Sequence, residues 1–215
     1  HFFRETSTLT SVPDYIPSTV TNMFAMFIRA TVFNQNIGAW DVSSVTNMSY
    51  MFQDAPAFNG DIGAWNVSSV TNISYMFSSA QAFNQDIGAW DVSSVNDMSY
   101  IFYYATAFNQ DIGAWDVSFV TNMNSMFINA QTFNQNIGAW DVSNVTDMSN
   151  MFNDATAFNG QILGWTLKDS NVSLTSMFQE AAAFQTTYGV GDTPLYTDFG
   201  QPAQLCFTYT TTGET

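Results

Sequence analysis

Lysine and arginine are almost missing from this chain: three residues in 215, at Arg4, Arg29 and Lys168. Three scattered cations cannot neutralise a row of phosphates, which excludes nucleic acid as a partner. Against them stand 18 Asp and Glu, for a formal net charge of −15. An anionic membrane surface is a poor partner for the same reason. Histidine occurs once, at His1. That removes the Ser-His-Asp and Cys-His sets, and a copper site would need a second histidine. Cysteine also occurs once, at Cys206, so no intrachain disulfide can form. The lone thiol suits either an intermolecular bridge or a small apolar core position. No run approaches about 18 apolar residues, so no transmembrane segment is expected. The chain opens at His1 without Met or a signal-like stretch, and reads as a product from which any targeting signal has been removed.

What is present is a repeat. Trp40, Trp65, Trp90, Trp115, Trp140 and Trp165 are spaced by 25 residues. Phe27, Phe52, Phe77, Phe102, Phe127 and Phe152 follow the same period, and Phe178 arrives one residue late. Phe33, Phe58, Phe83, Phe108, Phe133, Phe158 and Phe184 form a third series. The late phenylalanine places a one-residue insertion near Lys168–Ser173. A fixed period of this length is the mark of a solenoid, whose units bury their apolar faces against neighbouring units. The aromatic richness therefore reads as core, with the tryptophans forming a structural ladder.

Two local patterns occur within a unit. Val45, Met48, Met51, Phe52 and Ala55 fall on one side of a 3.6-residue period, which predicts a short helix with Ser44 at its start. Ile62-x-x-Trp65-x-Val67 has the spacing of a leucine-rich-repeat strand. Asn34, Asn59, Asn84, Asn109, Asn134 and Asn159 recur after the phenylalanine. They suit an internal amide ladder from coil to coil, in preference to a solvated turn.

The motif W-D-V-S-x-V-T-x-M-x-x-M-F-x-x-A-x-x-F-N runs from Val20 to Phe158 and more loosely to Phe184. It resembles the 25-residue repeat of the BspA-like leucine-rich-repeat surface proteins, the DUF285 type. Tyr15-Ile16-Pro17-Ser18-Thr19-Val20-Thr21 is similar to a variant of the same unit. The resemblance implies an α/β solenoid, a leucine-rich-repeat-like stack of about seven coils. Short parallel strands would form one face and short helices the other. Proteins similar to this are cell-surface or secreted and are regarded as adhesive or interaction modules without enzymatic activity. No catalytic motif is carried over.

The acids are ordered too. Asp41, Asp91, Asp116 and Asp141 follow the tryptophan, with Asn66 in register. Asp61, Asp86 and Asp111 precede it, with Asn36 and Asn136. Stacked carboxylates repel unless screened, hydrogen-bonded or bridged by a cation. The first row is thus a candidate calcium ladder, weighed against plain turn chemistry, which the spacing favours because it matches no EF-hand loop. No other cofactor is expected. A paired-carboxylate glycosidase is disfavoured because a catalytic pair stands out from its surroundings and these residues repeat. The threonines Thr21, Thr46, Thr71, Thr121 and Thr146 form a single row, read as helix-start chemistry in preference to an ice-binding surface. Sequons at Asn47, Asn66, Asn72, Asn144 and Asn171 are candidate glycosylation sites.

The period breaks at both ends. Residues 1–19 form an N-terminal strand-like segment or cap, 20–184 the repeat solenoid, and 185–215 a C-terminal cap or assembly segment. His1–Thr6 and Gln204–Thr210 read as strands. Together these features predict an extracellular or cell-surface, non-enzymatic structural or interaction protein. It would self-associate end to end, as a homo-oligomer or homopolymer of filament or surface-layer type, or mediate adhesion. The alternative is an adhesin module that recognises a glycan or host protein through its acidic strand face. Its exposed aromatics would be Tyr103, Tyr104 and Phe119.

Overall fold

The repeat closes into stacked coils, and the chain builds them from turns. The structure is a computed structural model and describes residues 8–200. Asn22, Asn47, Asn72, Asp97, Asn122, Asp147 and Ser173 are joined in succession by parallel bridges, one residue per coil. Each bridge residue opens a coil, giving seven. The step is 25 residues until the last, Asp147 to Ser173, which is 26 and holds the insertion.

The apolar residues of the repeat are the corners of β-turns. Val45 N–H donates to Val42 O (2.9 Å), Met51 to Met48 O (3.2 Å), Ala55 to Phe52 O (3.1 Å), and Trp65 to Ile62 O (3.1 Å). All of these residues are buried. The turns Met48–Met51 and Phe52–Ala55 carry a positive φ at their third residue, 61° at Tyr50 and 54° at Asp54. That is type II geometry. It recurs at fourteen non-glycine residues, two in each of the seven coils. The left-handed region costs a side-chain-bearing residue about 1–2 kcal/mol. It is tolerated because it aims alternate amides along the stack. Met48, Tyr50, Phe52 and Asp54 N–H donate to Asn72, Ser74, Met76 and Ser78 O at 3.0, 2.9, 2.9 and 2.8 Å.

This corrects the predicted α/β class. No helix follows Ser44. Among the described residues the only α-helix is α1, Ala182–Tyr188, joined by a short 3₁₀ helix, Tyr196–Asp198. The run 62–67 is not a strand either, and among the described residues parallel pairing is confined to single-residue bridges. The bonded edge lies at residues 47–54, inside the run read as helix. The misreading has a physical cause. Consecutive four-residue turns bury i, i+3, i+4 and i+7, and so copy the period of an amphipathic helix.

The core is built on three aromatic columns. Phe52 stacks on Phe58 within its coil at 3.8 Å between centroids, and on Phe77 of the next coil at 5.8 Å. Phe58 and Phe83 are 5.9 Å apart, and Trp65 and Trp90 are 6.5 Å apart, within 7° of parallel. Each indole also ties two coils together: Trp90 Nε1 donates to Ile62 O at 3.2 Å, and Trp115 Nε1 to Ile87 O at 3.1 Å. The tyrosine rings on the bonded side are only 4.5 Å apart at Tyr50–Tyr75 and 4.3 Å at Tyr75–Tyr100. Equivalent rings are related by one coil step, so the difference means that the coils splay toward the tryptophans.

The amide ladder is formed. Asn34 Oδ1 accepts from Asn59 N–H at 2.7 Å, and the series continues through Asn84, Asn109 and Asn134 to Asn159 N–H at 2.8 Å. It stops there, leaving Asn159 Oδ1 buried without a partner. The next rung would be Gln185, whose N–H is spent inside α1 on Ala181 O.

Beyond the repeat, neighbouring segments stand in for missing coils. Trp40 Nε1 donates to Pro13 O at 2.9 Å, and Gln35 exchanges two hydrogen bonds with the Val12 backbone. At the other end Ser176 N–H donates to Thr193 Oγ1 (2.8 Å) and Phe178 N–H to Asp192 O (2.9 Å). The strand-like segments His1–Thr6 and Gln204–Thr210, with Cys206, lie outside the described residues.

Candidate functional site

The aspartate row sits on exposed turns. Asp41, Asp91, Asp116 and Asp141 each occupy the first position of an Asx-turn, as Asn66 does in its coil. Asp91 Oδ1 accepts from Ser93 N–H at 3.1 Å and from Ser93 Oγ at 2.6 Å. Asp41 is held the same way by Ser43. Asp116 and Asp141 accept from the Ser118 and Ser143 amides. The serine hydroxyl first, and then the serine amide, hold Asp41, Asp91 and Asp141 below the usual carboxylate range. These bonds already supply what the sequence left open, a reason for stacked aspartates that needs no bridging ion. Among the described residues no three His, Cys, Asp or Glu side chains come together as a metal-binding group.

The second acidic row does related work. Asp61, Asp86 and Asp111 Oδ1 accept from Gly63, Gly88 and Gly113 N–H at 3.0, 2.9 and 2.9 Å. The glycine is demanded by the next coil: a Cβ on Gly88 would lie 2.5 Å from Asp111 O.

The threonine hydroxyls face the stack. Thr46 Oγ1 and Thr71 Oγ1 each donate to the threonine carbonyl one coil earlier at 3.2 Å. The sequons differ among themselves. Asn47 and Asn72 are half-buried bridge residues whose Oδ1 accepts from Ser49 and Ser74. Asn144 spends its amide nitrogen on Ser118 O at 2.8 Å. Asn66 and Asn171 are exposed, and their Nδ2 atoms donate to no described residue.

One surface feature escaped the sequence reading. Phe24, Tyr50, Tyr75 and Tyr100 form a column along the bonded edge, with Phe24 and Tyr50 packed edge-on at 5.5 Å. Tyr103 and Tyr104 extend it, Tyr103 at 5.6 Å from Tyr100 and Tyr104 at 4.6 Å from Tyr103. Burial first, then Tyr100, Tyr50 and Asp97, push the Tyr75 phenol far above its ordinary value. The signal was there in the 25-residue spacing of Tyr50, Tyr75 and Tyr100. Phe119, 69% exposed, stands apart from this column, so the three aromatics singled out by sequence do not form one patch.

The family model described as "Mycoplasma protein of unknown function, DUF285" matches residues 1–103 and 84–190. The chain belongs to the DUF285 family. That agrees with the BspA-like resemblance and with a repeat running through nearly the whole match. No curated protein and no solved structure matches the chain. Among the described residues of this DUF285 chain, no helix is long and apolar enough to cross a membrane.

Proposed function

We propose that this chain is an extracellular, non-enzymatic structural protein whose copies join end to end, or present the stack for adhesion. One observation carries this reading. The polar and aromatic resources of the repeat are spent on coil-to-coil contacts, and those contacts all run along one axis. Indole N–H groups, asparagine amides, threonine hydroxyls and five backbone amides per internal coil bond to an adjacent coil. Such a stack is a linear object that can be extended but has little left over to assemble a reaction centre. Head-to-tail contacts that do not close on themselves generate filaments. Light scattering across a concentration series, with electron microscopy of the same samples, tests it. Growth in mass with elongated particles is the expected result, and a constant monomer mass at high concentration would overturn it.

The tyrosine column favours a second reading, an adhesin module for a glycan or host protein. That column, more than the aspartate row, offers half-buried tyrosine rings, with Phe24 and Tyr104 exposed beside them. Glycan-array binding lost on Tyr100→Ala but kept on Asp91→Asn would support this reading over the structural one.

A further inference from the structure

The two ends of the stack are complementary, and the geometry points to a specific head-to-tail interface between the seventh coil of one copy and the first coil of the next. This rests on the end-to-end association proposed above and says where and how it occurs. In every internal coil, four amides spaced by two residues donate to four carbonyls of the following coil. The bonds all run the same way. A fifth amide runs the other way, Thr46 N–H to Thr21 O at 2.8 Å, so at these four positions the C-terminal face presents donors and the N-terminal face acceptors, while at the fifth the roles reverse.

On the C-terminal face the four donors are Leu174, Ser176, Phe178 and Glu180. Ser176 and Phe178 are met by Thr193 Oγ1 and Asp192 O, while Leu174 and Glu180 N–H have no partner among the described residues. On the N-terminal face the carbonyls of Asn22, Met26 and Ile28 likewise have none. The internal register pairs Met148 N–H with Ser173 O and Asp154 N–H with Gln179 O. Carried one coil further, it sets Leu174 N–H on Asn22 O of a second copy and Glu180 N–H on Ile28 O. The open donors at one end thus meet open acceptors at the other. Residues 192–193 already satisfy the two middle donors in the manner of an incoming coil, and docking exchanges the Phe178 bond for Met26 O of the second copy.

Charge follows the same register. Arg29, Asp54, Ser79, Tyr104, Asn129, Asp154 and Glu180 occupy one column, and at two of its steps the charged or polar neighbours touch: Arg29 Nε lies 3.8 Å from Asp54, and Asn129 Nδ2 lies 3.1 Å from Asp154. The column begins on a cation and ends on two acids. A second copy placed on the C-terminal face sets its Arg29 over Glu180. Both residues hold the same backbone conformation, φ 58° and 57°, so their exchange adds no strain.

The test uses the whole chain at concentrations above and below the onset of association. Amide hydrogen exchange is read at Leu174 and Glu180, which should slow at least about tenfold on association because they enter bonded rungs. Glu180→Arg should weaken association about tenfold, and Glu180→Arg with Arg29→Glu should restore it. Association that leaves both amides fast, or that ignores the charge exchange, would overturn this interface and leave end-to-end assembly standing by another route. A chain that stays monomeric throughout would overturn both.

Discussion

Gly88→Ala should open the stack at one junction. The added Cβ would stand 2.5 Å from Asp111 O, where ordinary contact begins at 3.4 Å, so the two coils must part by 0.9 Å (3.4 minus 2.5). The opposing atom is backbone and cannot rotate aside. The neighbouring bond from Trp115 Nε1 to Ile87 O, now 3.1 Å, would stretch past useful length. Overpacking of this kind costs about 1–3 kcal/mol, and one buried hydrogen bond adds about 0.5–1.5 kcal/mol. The chain supplies its own control. Gly164 has nothing within 4 Å of an added Cβ, and alanine occupies its place in the earlier coils at Ala39, Ala64, Ala89, Ala114 and Ala139. Gly164→Ala should be neutral or stabilise by about 0.4–1 kcal/mol through the unfolded chain. Leu163 stands where Gly88 stands in its coil, and the next coil there has given way to α1. Urea unfolding followed by tryptophan fluorescence gives the comparison, as the difference in midpoint at equal slope. If the two variants unfold within about 0.5 kcal/mol of each other, glycine is not set by coil-to-coil approach and the reasoning fails.

Asn84→Ala should destabilise by about 0.5–1.5 kcal/mol, because it removes the acceptor of the Asn109 amide, whereas Asn159→Ala should be near neutral, since its oxygen already lacks a partner; thermal melts of the two settle it. Trp90→Phe keeps a ring in the column but strands Ile62 O, and a midpoint shift below about 0.5 kcal/mol would show that the indole bond contributes little. Asp91 has a folded pKa below its unfolded one, so its contribution is present above the unfolded value and lost as pH falls through the folded one. Carboxyl NMR of Ser93→Ala should show the Asp91 midpoint moving up toward an ordinary aspartate, and no movement would contradict the hydroxyl's role. Millimolar calcium should raise Tm no more than sodium chloride of equal ionic strength, and a larger rise would restore the calcium ladder.

By itself the sequence determined the number of coils, their step, the late insertion, the aromatic columns and the asparagine ladder. Each of these follows from the period alone. A residue copied every 25 positions in a stacked chain must meet its own copies, whatever the backbone does between them. The backbone between them was decided only by the tertiary structure. Val45, Met48, Met51, Phe52 and Ala55 are buried in a helix and in a chain of type II turns alike, so their spacing could not separate the two. What separates them is where the amides go. In a helix each N–H is satisfied four residues back; here Met48, Tyr50, Phe52 and Asp54 are satisfied 24 residues ahead, by a neighbour that exists only once the coils have stacked. The same bonds compel Tyr50 and Asp54 into a left-handed conformation that no propensity would assign them. At these four positions they also give the edge a direction, with carbonyls toward one end and amides toward the other.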